Sequence, residues 1–178
     1  MGKKFWFLGI LILFISLFFD AYILGYIADN RIIELNEIIK NFSIITNGFF
    51  SLIIVGLIVL YFKRKLIFRF LIGFGITAML VYLIKIAVRR TRPFDVVPLI
   101  FNESGFSFPS GHAVFAFFCL GFIWKDFKKF RYFWLIMAIM IAFARSYVGI
   151  HYLSDLIGAM LIGLFLGDFF RKKKIFKL

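Results

Sequence analysis

The chain contains two histidines, and each stands in a segment equipped to handle a phosphoryl group. His112 ends the run Phe108-Pro109-Ser110-Gly111-His112, while His151 lies between Arg145 and Asp155 in the pattern Ala-Arg-x5-His-x3-Asp. Upstream, Lys85 and Arg92-Pro93 form Lys-x6-Arg-Pro. Imidazole can act as a nucleophile or hold a proton near neutral pH. A carboxylate four residues further along a helix shares its face, so Asp155 can accept from one ring nitrogen of His151 and leave the other for a substrate. Guanidinium forks match phosphate oxygens and an ammonium adds a point charge, which suits Arg92, Arg145 and Lys85. A helix opening at Pro109-Ser110-Gly111 would add unpaired N–H groups and a hydroxyl, and Gly111 would leave room for close approach of an anion. These are the parts that phosphoryl transfer needs, since its catalysis is mainly positioning and charge stabilisation.

Each segment also has a plainer reading. Ser110 after a proline can be a helix cap, His151–Asp155 can tie two helices together, and Arg89 and Arg90 read as a solvated interfacial charge run. Asp20 and Tyr22 read as anchors near the outer end of a first span, and Tyr147 and Tyr152 as interfacial aromatics.

The elements that must position these groups are membrane helices. Of 178 residues, 63% are hydrophobic, and mean hydropathy is +0.98, whereas a soluble domain is about half apolar. Apolar segments run over 5–28, 43–62, 66–88, 110–124, 132–148 and 151–169. Open strands leave unpaired backbone groups in lipid, so all six are expected as helices. The fold class expected is all-α: a six-span membrane protein forming a single domain over 1–178. The basic start at Lys3-Lys4 resembles a signal peptide. The apolar run continues to about residue 28, and Asp20-Ala21-Tyr22 shows no small-x-small cleavage pattern, so a retained first span is expected. Residues 29–42 carry Ile32, Leu35, Ile39 and Phe42 at helical spacing, which predicts a short helix in the outer interface. Residues 94–108 either cover the site or dip into the interface. Phe is abundant, which suits lipid-facing surfaces. Cys119 is the lone cysteine, so no internal disulfide can form.

Net charge is +13, which in a soluble protein would suggest nucleic acid. Here the basic residues fall in short loops, so no nucleic-acid partner is expected. Lys3, Lys4, Lys63-Arg64-Lys65, Lys125, Lys128, Lys129, Arg131, Arg171–Lys174 and Lys177 share one side. The positive-inside rule places that side, with both termini, in the cytoplasm. Lys85, Arg92, His112, Arg145 and His151 then converge on the extracytoplasmic side of the cytoplasmic membrane. Charged groups are costly beside a bilayer core, so such a cluster reads as a functional site by default.

Taken in order, Lys-x6-Arg-Pro, Pro-Ser-Gly-His and Arg-x5-His-x3-Asp resemble the motifs of the type 2 phosphatidic acid phosphatase superfamily. These are membrane lipid phosphate phosphatases sharing a site with bacterial class A acid phosphatases and vanadium haloperoxidases. The third motif departs from the family pattern only in Ala144, where a serine is usual. The resemblance implies His151 as nucleophile through a phosphohistidine, Asp155 as its orienting group, and His112 as proton donor and then water activator. It implies Lys85, Arg92, Ser110, Gly111 and Arg145 as holders of the phosphoryl oxygens. No carboxylate cluster suited to a divalent metal accompanies the motifs, so neither metal nor cofactor is expected. The implied substrate is a phosphorylated membrane lipid: undecaprenyl diphosphate, phosphatidylglycerol phosphate, phosphatidic acid or lipid A 1-phosphate. A monomer is the default. A lipid transporter or headgroup-binding scaffold is the competing class, but neither the repeats nor the broken helices of transporters are present. Haloperoxidases are soluble, which the apolar spans oppose.

Overall fold

The computed structural model describes residues 2–100 and 103–172. These residues form helices α1 (Lys3–Asp29), α2 (Ile33–Ile45), α3 (Gly48–Lys63), α4 (Ile67–Val88), α5 (Gly111–Ile123), α6 (Arg131–Tyr147) and α7 (Leu153–Lys172), with no strand among them. Three stretches, Lys3–Asp29, Gly48–Val88 and Leu153–Lys172, are long and apolar enough to cross a membrane, and Gly111–Ile123 is a shorter apolar helix. The expected all-α membrane fold is therefore present.

Helix limits follow local chemistry. The expected second span over 43–62 is interrupted at its start, because α2 runs on to Ile45 and α3 begins at Gly48. Asn47 makes the break: its side chain accepts from Phe50 N at 3.1 Å and caps α3. A 3-10 turn at Arg64–Leu66 separates α3 from α4, with Lys63 at φ −147°, ψ 58° reversing the chain. Gly56 of α3 then faces the Phe70 ring of α4, which makes the two helices a hairpin. The amphipathic segment expected over 29–42 becomes α2, shifted a few residues towards the C-terminus and packed against α6.

Helix α5 is the centre. It packs against α3, α4, α6 and α7, and from Ala113 to Ile123 every residue but Phe115 is buried. Its tightest partner is α7. A Cβ at Gly163 would lie 2.5 Å from Val114 O, and one at Gly167 would overlap Phe118 O. Lipid tails are as apolar as side chains, so helices in a bilayer associate through such close backbone packing. Phe divides between two roles. Phe7 and Phe18 are exposed as lipid-facing groups, whereas Phe70, Phe118 and Phe122 are fully buried and interlock, with Phe70 and Phe122 edge to face at 5.2 Å.

At one end of the bundle, Asp126 pairs with Lys63 at 3.4 Å and Arg171 at 3.2 Å, so the basic turns expected on a common side do meet. Lys173, Lys174 and Lys177 lie outside the described residues. At the other end, the segment joining α4 to α5 folds back over the bundle. Ser107 N donates to Arg90 O at 2.8 Å, and Ile100 N donates to Val148 O at 3.1 Å.

Candidate active site

The start of α7 sets the centre of the site. His151 is 1% exposed and Asp155 is fully buried, and His151 Nδ1 lies 3.3 Å from Asp155 Oδ2. The same carboxylate oxygen accepts from Tyr152 N at 3.0 Å and from the Ser107 hydroxyl. Burial holds the His151 imidazole at a pKa of about 4, against the hydrogen bond and charge of Asp155, which act to raise it. The ring is thus neutral near pH 7.

On its other edge, His151 Nε2 lies 3.3 Å from Arg92 Nη1. Arg92 is buried and its remaining N–H groups donate to Ile150 O, Gly105 O and Ser104 O at 3.0, 3.0 and 3.2 Å. Its Nη2 also meets Glu103 Oε1 at 2.9 Å. Arg145, reaching from the last turn of α6, ion-pairs with the other Glu103 oxygen. Ser43 of α2 supports Arg145 through its hydroxyl at 2.7 Å. Burial would raise the Glu103 carboxyl, but Arg145 and Arg92 outweigh it and hold it at about 2. A carboxylate is therefore gripped by two guanidinium groups immediately beside the imidazole.

The remaining expected residues border the same space. Lys85, in the last turn of α4, donates to Phe106 O and, at 3.5 Å, to Ser107 O. Ser110 occupies the N-cap position of α5, yet its side chain makes no capping bond. Its Oγ is buried without a hydrogen-bond partner. Gly111 and His112 open α5, and His112 lies within electrostatic reach of Arg145, Glu103, His151 and Arg92. All eight expected site residues thus come to one end of the bundle.

Three plain readings of the sequence need correction. Arg90 is no solvated charge: its Nη1 reaches Ser154 Oγ at 2.5 Å and Asp155 Oδ1 at 2.8 Å, and its Nη2 reaches Asp20 Oδ2 at 2.6 Å. Asp20 is not an interfacial anchor. It is 4% exposed, because α1 continues nine residues beyond it to Asp29. The cause is a backbone turn. Arg89 caps α4 at φ 50°, a left-handed conformation rare outside glycine, and the chain then carries Arg90 inward while Arg89 stays exposed. Tyr147 is likewise buried, with its hydroxyl 3.1 Å from both Ile32 O and Asn36 Oδ1. Tyr152 lies under Arg90, 4.2 Å from guanidinium carbon to ring centroid. Glu103, Ser107 and Ser43 carry no motif, and only the contacts reveal them.

A buried neutral histidine backed by a carboxylate and faced by an anion grip, set in a bundle of apolar helices, defines a membrane protein built for phosphate chemistry. The chain belongs to the PAP2 superfamily, whose family model matches residues 66–173. It is similar to phosphatidylglycerophosphatase B of Bacillus subtilis (strain 168), at 35% identity over 107 residues, 54% of this chain and 52% of that one. It therefore spans about half the length of that relative. It is also similar to an undecaprenyl-diphosphatase of Sulfolobus acidocaldarius, at 25% identity across 89% of this chain and 85% of that one. Its fold matches the crystal structure of a transmembrane PAP2-type phosphatidylglycerolphosphate phosphatase from Bacillus subtilis. The TM-score is 0.71 at 24% identity, covering 96% of each chain.

Proposed function

We propose that this protein is an integral membrane lipid phosphatase that removes a terminal phosphate through a phosphohistidine. The observation that carries this reading is the seat of Glu103: a carboxylate held by Arg92 and Arg145 beside His151 Nε2. A phosphoryl group in that seat would present phosphorus to the ring nitrogen opposite Asp155. Nε2 forms the P–N bond as the P–O bond to the lipid breaks, and His112 gives its proton to the departing oxygen. Water then loses a proton to His112 and attacks phosphorus, releasing phosphate and restoring His151. Lys85, Arg92 and Arg145, the Ser110 hydroxyl and the N–H groups opening α5 at Gly111 hold the phosphoryl oxygens. These cations supply the charge stabilisation, so activity is expected to persist with EDTA.

The substrate class is a phosphate on a bilayer-resident tail, because the site sits at the end of an apolar bundle. The names of the similar proteins support phosphatidylglycerol phosphate and undecaprenyl diphosphate as the first candidates to test, and phosphatidic acid and lipid A 1-phosphate are further candidates. A second lipid could accept the phosphoryl group in place of water. The reading includes six spans (α1 and α3–α7) in a single domain, both termini in the cytoplasm, the site on the extracytoplasmic face of the cytoplasmic membrane, and a monomer. The test is phosphate release from these lipids in detergent with EDTA, by wild type and His151→Ala. The variant is expected to lose at least ~10³-fold in turnover, the scale for removing one member of a concerted set. Equal release by both proteins would overturn the assignment.

A further inference from the structure

Behind the His151–Asp155 pair lies a buried charge chain that reaches α1, outside the residues matched by the family model. Asp155 uses Oδ2 for His151, Tyr152 N and Ser107, and turns Oδ1 to Arg90 at 2.8 Å. The other arm of that guanidinium meets Asp20 Oδ2 at 2.6 Å. Asp20 Oδ1 in turn accepts from Ser154 N at 2.9 Å, and the Ser154 hydroxyl donates to Oδ2. Asp20, Ser154 and Asp155 are all buried. From these contacts we infer that Asp20 and Arg90 are positioning residues for the nucleophile, acting through Asp155.

The physical argument has two parts. Asp20 accepts from a backbone N–H at the first turn of α7, so it fixes the rotation of the helix that presents Asp155. Arg90 then fixes the carboxylate itself: one arm of the guanidinium holds Oδ1, which leaves Oδ2 turned to the His151 ring, Tyr152 N and the Ser107 hydroxyl. Charge matters as much as direction. Arg90 alone would draw Asp155 away from the imidazole, whereas Asp20 offsets that pull. The two carboxylates and one guanidinium together keep a net negative charge. That charge complements the positive charge the His151 ring acquires when Nε2 bonds to phosphorus while Nδ1 keeps its proton. A buried ion of this network left unpaired would be costly, so its members act as a unit.

The experiment separates this role from mere helix capping, because Asp20→Asn keeps a side-chain oxygen for Ser154 N and removes the charge and the oxygen that Arg90 holds. Its activity arm rests on the phosphatase reading. Asp20→Asn is expected to lower kcat about tenfold or more, on the scale known for hydrogen-bond partners that orient metal-bound histidines, with KM within about twofold. Combined with Asp155→Asn, it is expected to add no further loss. An unchanged kcat, or multiplicative losses in the double variant, would overturn the inference. A second arm needs no turnover. The chain has two histidines, so imidazole nitrogen NMR with His112→Gln for assignment reads His151 directly. Wild type is expected to show one Nδ1–H tautomer, and Asp20→Asn a mixture. An unaltered His151 signal would overturn the inference. If wild type released phosphate from none of the lipids, the functional reading would fall and the NMR arm would decide this one. Should Asp20→Asn fail to fold, Arg90→Lys replaces it. One ammonium cannot hold both carboxylates in the guanidinium geometry, so the same drop in kcat and mixed tautomer are expected, and their absence is disproof.

Discussion

Arg92 Nη1 lies 3.3 Å from His151 Nε2, on the ring edge that Asp155 does not touch. A guanidinium can only donate, so this contact assigns the lone pair to Nε2 and the proton to Nδ1, facing the carboxylate. On the proposed reading, the nitrogen that would attack phosphorus is already selected before any substrate arrives.

The pH dependence follows from the same ring. Burial sets the His151 pKa at about 4, below the value near 6.5 of an unfolded histidine. Between these values the unfolded chain binds the proton more readily, so the folded state is unaffected above about pH 6.5 and loses stability as pH falls towards 4. Thermal unfolding midpoints should fall across that window in wild type and fall less in His151→Gln. Protonation of His151 itself should not limit kcat/KM above about pH 5. A proton donor must be protonated to act, so a loss of kcat/KM on the alkaline side that disappears in a His112 variant would assign that limb to His112.

On the proposed reading, Glu103 competes with substrate for the guanidinium pair that grips it. Glu103→Gln should free Arg92 and Arg145 and lower the inhibition constant for vanadate by about tenfold, equivalent to roughly 1.4 kcal/mol. Inhibition assays on the two proteins check this. A weaker grip in the variant would mean that Glu103 organises the cations instead of occupying their seat.

Ser110 Oγ is a buried hydroxyl without a partner, as a donor reserved for an anion would be. Ser110→Ala should cost roughly 10- to 100-fold in kcat/KM, the range for one hydrogen bond to a charged group, with little change in thermal midpoint. Steady-state kinetics and unfolding curves together test the pair of outcomes.

The α5–α7 contact gives a stability prediction. Gly167→Ala places a methyl group into Phe118 O and should destabilise the bundle by about 1–3 kcal/mol or more. Gly75→Ala, where no atom lies within 4 Å of the new Cβ, is the control and should unfold at or slightly above the wild-type temperature. Equal midpoints for both would refute the close-packing account.

The helices were readable because a bilayer permits little else, and their limits agree within a few residues except around α2, which is shifted towards the C-terminus, and at Asn47, where a side-chain cap splits one apolar run. The eight motif residues were gathered from three ordered motifs and their family resemblance, and the structure brings them to one end of the bundle although Arg92 and His151 lie outside the helices. Arg90 was misread because a charge just past an outer helix end looks solvated. Only the left-handed turn at Arg89 reveals that it points inward. Asp20 carried a usable signal: α1 runs on for another nine residues, and an acid that deep in an apolar helix seeks a buried cation. Gly163 and Gly167, four apart on α7, were a further legible sign of close helix packing. Glu103 left no trace in sequence, since its role depends on a loop folding back over the bundle.

The two histidines enter the site on α5 and at the head of α7, the pair of helices whose backbones touch at Gly163 and Gly167. Main-chain contact, with no rotamer slack, therefore fixes how α5, which opens beside His112, lies against α7, which follows His151. The mouth is made differently, from side-chain and carbonyl hydrogen bonds of α2 and the segment after α4. With the site as proposed, the protein thus separates a stiff reaction chamber from an entrance that can be re-tailored. Exchanging that outer segment between related chains should change which headgroups are admitted while the chemistry at His151 continues unaltered.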